Sequence, residues 1–163
     1  MYQHRYWKEL YQLKVHVNYV ELYLRNSDVN DKRVSIFLAI TSSSSICGWA
    51  IWQEYSFVWA GIIALSQLIT AIKTFLPYKQ RIKPLSSLLH DLELITWECE
   101  LEWFNVAEGE LTEAETHKLQ FNFRKKKLEA LKKNLGVMTL PEKKNLFKKA
   151  EETAKTYFNN FYS

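Results

Sequence analysis

The longest apolar stretch of the chain runs from Val34 to Ile72 and carries one formal charge, at Glu54. The part before that charge, residues 34–53, would form a helix about 30 Å long, which matches the hydrocarbon core of a bilayer. Neither half has a charge on any face, whereas a helix at the surface of a soluble protein usually keeps one polar face. The pattern therefore predicts a two-helix transmembrane hairpin, with spans at about 34–53 and 55–76. A buried helical hairpin is the alternative.

Aromatic and basic residues flank this stretch in the way expected of membrane spans. Trp49, Trp52 and Trp59 lie around Glu54, where their rings would sit at the level of the lipid headgroups. Lys and Arg are frequent before the first span and after the second, but none occurs in the loop at 53–56. Since basic residues are in excess on the cytoplasmic side, we expect a two-pass membrane protein with both termini in the cytoplasm.

The residues outside the hairpin have helical periodicity throughout. Before it, apolar residues recur at steps of three and four and form one stripe of a helix: Tyr6, Leu10, Leu13, Val17, Val20 and Leu24. The Asn26–Asp28 segment is expected to break that helix. After Pro84, helices are predicted over Leu85–Ala107, from Thr112, which forms a capping-box pattern with Glu115, and from near Pro141. The predicted fold class is an all-α membrane protein. Its predicted parts are an N-terminal cytoplasmic amphipathic helix (1–33), a transmembrane hairpin (34–76) and a cytoplasmic helical region (77–163).

The segment from Leu85 to Ala107 has two apolar stripes. One contains Leu85, Leu88, Leu92, Ile95, Cys99 and Val106, and the other contains Leu94, Trp97, Leu101 and Phe104. A helix with two apolar stripes needs two partners. One partner can be another helix of the same chain and the other a second protomer, so a homo-oligomer is predicted.

Charge and cysteine content add little to this picture. The formal net charge is +4, and Cys47 and Cys99 are too few to form a disulfide framework. The densest basic run is Arg124, Lys125, Lys126 and Lys127. It is either the solvated face of a helix or a contact with anionic lipid headgroups or a phosphate-bearing ligand.

Residues that would indicate catalysis are sparse. The four histidines have no spacing that gathers metal ligands on one face, and four glycines provide no phosphate-binding loop. His90 and Glu93 are one turn apart, which alone is a weak indication of an acid–base pair. The sequence therefore predicts no enzyme, catalytic residue, metal site, cofactor or direct nucleic-acid site.

Polar residues inside the predicted spans are the remaining candidates. They are Thr41, Ser44, Ser45 and Gly48 in the first span and Ser66, Gln67 and Thr70 in the second. Hydroxyl groups can bond back to a carbonyl one turn earlier, and small residues let helices approach closely, so these residues could serve packing. In an oligomer they could instead line a water-filled path.

The two-span layout and the exit segment at 72–81, with sequence IKTFLPYKQR, resemble the SLATT-type two-transmembrane effectors of bacterial anti-phage systems. This resemblance implies an effector that oligomerises and forms or gates a pore, and so depolarises or permeabilises the bacterial inner membrane. It also implies contact with membrane lipids and a separate sensor or regulatory protein, with a nucleotide as one form of signal. Two alternatives remain open: a non-conducting membrane anchor or scaffold for a partner protein, and a holin-like lysis protein.

Overall fold

The computed structural model describes residues 2–51, 56–75 and 78–162, with side chains described outside 42–56 and 73–79. These residues form five helices and no strand. The helices are α1 (Tyr2–Ile51), α2 (Ser56–Phe75), α3 (Tyr78–Ala107), α4 (Glu113–Leu135) and α5 (Lys144–Tyr162). The all-helical prediction is confirmed. The chain divides into two compact units, one of residues 1–25 with 83–163 and one of residues 26–82.

The first unit is a four-helix bundle in which the start of α1 contacts the other three helices. Its predicted stripe is buried from Tyr6 to Val20, and Leu24 is partly buried. Val15, Asn18 and Tyr19, which lie off that stripe, are buried as well. Because α3, α4 and α5 all pack against this part of α1, little of its circumference remains exposed. The core is completed by residues of the other helices: Leu85, Leu88, Leu92, Ile95, Cys99, Val106, Phe123, Ala130, Ala150, Ala154 and Phe158.

Specific contacts join α1 to α3 and to α5. The hydroxyl of Tyr6 donates to the carbonyl of Cys99 in α3, and the side-chain amide of Asn18 donates to the carbonyl of Ala150 in α5 at 3.2 Å. The rings of Trp7 and Phe158 meet edge to face, with centroids 4.8 Å apart. Such polar and aromatic contacts restrict the register in which the helices can pack.

Local sequence signals fix the boundaries of α4. The predicted capping box is present, with the Thr112 hydroxyl accepting from the Glu115 amide and the Glu115 carboxylate accepting from the Thr112 amide. Gly136 ends the helix with φ +55°, a conformation that side chains with a Cβ rarely adopt. Two other boundaries differ from prediction. α1 continues through Asn26–Asp28, and α3 begins at Tyr78, so that Pro84 lies inside it.

The second unit corrects the central prediction from the sequence. Within the described part of the chain, no helix is long and apolar enough to cross a membrane. The prediction of a membrane protein with a transmembrane hairpin spanning 34–53 and 55–76 is therefore wrong. The same finding overturns two further predictions: the two-pass location in a bacterial inner membrane with both termini cytoplasmic, and the description of the protein as pore-forming.

Candidate functional site

The outer side of α3 is the main unpartnered surface of the first unit. Leu94, Trp97, Leu101 and Phe104 are between 42% and 74% exposed, although all four are large and apolar. Their spacing of three, four and three residues places them on one face of the helix. The opposite face holds Leu88 and Leu92, which are at most 1% exposed. We call these four residues the α3 outer stripe.

Carboxylates border the α3 outer stripe on both sides. At 100° per residue, Asp91, Glu98 and Glu102 lie along one border, and Glu93 and Glu100 lie along the other. Some already have partners in the bundle. Asp91 accepts from the Asn134 amide at 2.8 Å and from the Lys133 ammonium at 3.1 Å, and Glu100 accepts from the Tyr157 hydroxyl at 3.0 Å. The stripe is thus an apolar strip bordered by carboxylates, two of which, Asp91 and Glu98, are paired with lysines of α4.

The outer side of α4 has the same geometry with the opposite charge. Phe121 and Leu128, two turns apart, are 63% and 52% exposed. Lys118, Lys125 and Lys132 lie between and beside them on the same face and are exposed. We call these five residues the α4 outer face. Both surfaces therefore combine exposed apolar side chains with charged ones, carboxylates on α3 and lysines on α4.

The basic run of α4 does not form one patch. Because successive helical residues differ by 100°, the structure directs these four side chains to different neighbours. Arg124 pairs with Glu9 of α1, with Nε 2.6 Å from Oε1, and Lys126 pairs with Glu98 of α3. Lys127 Nζ lies 3.3 Å from Nδ1 of His16, and Lys125 is on the outer face, 4.0 Å from Glu129.

The described polar residues of the predicted hairpin bond within their own helices. The Thr41 hydroxyl donates to the carbonyl of Phe37 at 3.0 Å, Ser66 to that of Ile63 at 2.8 Å, and Thr70 to that of Ser66 at 2.8 Å. Gln67 is exposed and Trp59 is partly buried. Side chains of the other candidates lie outside the described part of the chain: Ser44, Ser45, Gly48, Trp49 and Trp52.

Among the described residues, no group of three or more His, Cys, Asp or Glu side chains could hold a metal ion. The Cys99 thiol is buried, and this burial raises its pKa to about 12; the Tyr6 contact opposes the rise and nearby carboxylates add to it. A thiol with so high a pKa is a poor nucleophile at neutral pH.

Comparison of the chain with protein-family models, curated proteins and solved structures finds no match. The resemblance to anti-phage effectors therefore stays a prediction, and so do the separate sensor protein and the absence of an enzymatic activity.

Proposed function

We propose that this protein is a self-assembling helical module in which the α3 outer stripe of one copy packs against the α4 outer face of the next. The observation that carries this proposal is the exposure of Leu94, Trp97, Leu101 and Phe104 along one face of a helix whose other face is fully buried. Contiguous exposed apolar residues with a polar border are typical of protein–protein contacts.

Charge complementarity favours a second copy as the occupant. The α3 outer stripe is bordered by carboxylates, and the α4 outer face supplies Lys118, Lys125 and Lys132 around Phe121 and Leu128. Pairing two acidic stripes, or two basic faces, would place like charges together, which opposes association. The α3-to-α4 pairing instead brings the α4 lysines next to carboxylates of the α3 outer stripe.

The contact is heterologous, since it joins different surfaces of the two copies. A heterologous contact leaves one unused surface at each end of the assembly. Successive copies therefore form a ring if the rotation between neighbouring copies closes, and an open chain if it does not. Burial of one large apolar side chain contributes roughly 1.5–3 kcal/mol relative to full exposure. Six partly exposed apolar side chains meet in this contact, which is enough to offset part of the cost of association.

An assembly of this kind would serve as a scaffold. A role in anti-phage defence, which the resemblance implies, would then use oligomerisation as its activating step. A different helical protein could occupy the α3 outer stripe instead. That outcome would leave the α4 outer face without a role in assembly.

Charge substitution on the stripe tests the proposal. We expect Leu101→Glu and Phe121→Glu each to weaken self-association by about tenfold or more, which is about 1.4 kcal/mol, in sedimentation velocity across a concentration series. Val137→Glu is the matched control, because Val137 is fully exposed at 103% and lies in the α4–α5 connection, outside both surfaces. Equal association of Leu101→Glu and Val137→Glu would overturn the proposal. Loss of association in Leu101→Glu but not in Phe121→Glu would exclude α4 as the partner surface.

A further inference from the structure

A cleft of about 570 Å³ opens between α1 and α4 in the first unit. Four cationic side chains line it, together with one carboxylate, that of Glu9. The cations are Arg5, Lys8, Arg124 and Lys127, and His117 adds a fifth basic group. The excess of positive charge in a concave space creates a positive potential that attracts anions. The basic run alone did not indicate this cleft, because Arg5 and Lys8 are more than a hundred residues away in the sequence.

Ion pairs hold the two arginines of the cleft in place. Both carboxylate oxygens of Glu9 accept from Arg124, Oε1 from Nε at 2.6 Å and Oε2 from an Nη atom at 3.2 Å. Arg5 pairs with Glu113 at the start of α4. A guanidinium group has five N–H donors, so each arginine keeps donors for a further acceptor while its position is fixed.

Lys127 has a different environment. Among the described residues its ammonium forms no ion pair with a carboxylate, and its contact is with Nδ1 of His16 at 3.3 Å. Burial lowers the pKa of Lys127, and the charge of Glu9 only partly opposes this effect. A partly buried cation without a carboxylate partner is stabilised when an anion binds next to it.

We propose that this cleft binds a small phosphate-bearing molecule, whose phosphate oxygens contact Lys127, Lys8 and Arg124. Phosphate carries two or more charges and several acceptor oxygens, which suits a site that combines a fork-shaped guanidinium with point-charge ammonium groups. Gln12 and Gln120 supply neutral hydrogen-bonding groups, while Leu13 and Phe123 provide apolar contact for the rest of the ligand.

This site is independent of the proposed assembly contact. Arg124 and Lys127 face α1, whereas Lys125 and Leu128 lie on the α4 outer face. A variant of one surface therefore leaves the other intact, and the two proposals fail separately.

Titration calorimetry with inorganic pyrophosphate, at constant ionic strength, tests the site in the full chain. We expect saturable binding of one pyrophosphate per chain, weakened by about tenfold or more in Lys127→Gln and in Lys8→Gln. Lys127→Arg, which keeps the charge, should retain most of the affinity. Lys125→Gln is the matched control on the same helix and should bind like the parent chain.

Three results would overturn the inference. They are the absence of saturable heat up to millimolar pyrophosphate, equal losses in Lys125→Gln and Lys127→Gln, and citrate binding as tightly as pyrophosphate. The last result would show a general polyanion site without preference for phosphate. Circular-dichroism melting of each variant separates loss of binding from loss of folding, and Lys127→Arg keeps the inference testable if Lys127→Gln does not fold.

Discussion

The hydroxyl of Tyr6 donates a hydrogen bond of 2.9 Å to the backbone carbonyl of Cys99, and both side chains are buried. The bond joins α1 to α3 inside the bundle, near the face of α3 opposite the outer stripe. Burial, more than the neighbouring Cys99 and acidic residues, raises the pKa of Tyr6 far above its ordinary value. The phenol therefore stays protonated and can act as a donor at any physiological pH.

Removal of this donor should destabilise the bundle. We expect Tyr6→Phe to lower the free energy of unfolding by about 1 kcal/mol, the usual net contribution of a hydrogen bond, measured by urea denaturation. Tyr11→Phe is the control, because the Tyr11 hydroxyl makes a longer, exposed bond of 3.4 Å to the carbonyl of Glu151. If Tyr6→Phe lowered the free energy of unfolding no more than Tyr11→Phe does, the stabilising role of the Tyr6 hydrogen bond would be contradicted.

Tyr19 attaches the α4–α5 connection to α1. Its hydroxyl donates to the carbonyl of Pro141 at 2.6 Å and accepts from the amide of Lys143 at 2.9 Å. Tyr19→Phe removes both hydrogen bonds, and we expect the free energy of local unfolding of the connection to fall by about 1 kcal/mol. Trypsin should then cleave after Lys143 about fivefold faster. An unchanged cleavage rate, together with unchanged hydrogen exchange over 136–143, would show that the connection is held by other contacts.

The start of α4 depends on its capping box. Thr112→Ala removes the hydroxyl that accepts from the Glu115 amide at 3.3 Å, and such changes cost about 1 kcal/mol. The expected result is a lower urea midpoint with an unchanged slope. Thr112→Ser should keep most of the stability, because serine retains the accepting oxygen. Equal midpoints for the two variants would rule out the cap as the cause.

Much of the bundle could be predicted from the sequence because short-range signals decide it. The periodic stripe that begins at Tyr6 and the box at Thr112 and Glu115 are local patterns, and the structure contains both. The predicted break at Asn26–Asp28 was wrong because such residues weaken a helix by well under 1 kcal/mol each, which the rest of α1 outweighs. The predicted membrane hairpin was wrong, since no helix in the described part of the chain is long and apolar enough to cross a membrane.

The candidate surfaces were only partly predictable. The second stripe of α3 was recognised from its spacing at Leu94, Trp97, Leu101 and Phe104, and the structure leaves it exposed. The α1–α4 cleft was not predicted, since it depends on the packing of helices that are remote in the sequence. The run at Arg124 to Lys127 was interpreted as one patch, but helical rotation separates its members.

The pH dependence of stability should report the environment of His16. Burial, and secondarily the charge of Lys127, lowers the pKa of His16 below its ordinary 6.5, although the imidazole keeps some contact with solvent. As the pH falls through 6.5, His16 becomes protonated in the unfolded chain before it does in the folded chain. The free energy of unfolding therefore decreases toward acid pH. We expect His16→Gln to reduce the fall in urea midpoint between pH 7.5 and pH 5.5. A fall as large as that of the parent chain would contradict this assignment.

Disulfide trapping between two differently tagged chains tests the α3-to-α4 contact most directly. One chain carries Leu101→Cys and the other carries Phe121→Cys or Leu128→Cys, all in a Cys47→Ser background. Cys99 can remain, because its thiol is buried and its pKa is raised to about 12. Val137→Cys provides the control for random collision.

Our account predicts mixed dimers that join position 101 to position 121 or 128, well above the yield of the Val137→Cys control. Dimers that join position 101 to position 101 should not exceed that control. Preferential 101-to-101 trapping, or mixed yields no higher than the control, would contradict assembly of this protein through the α3 outer stripe and the α4 outer face.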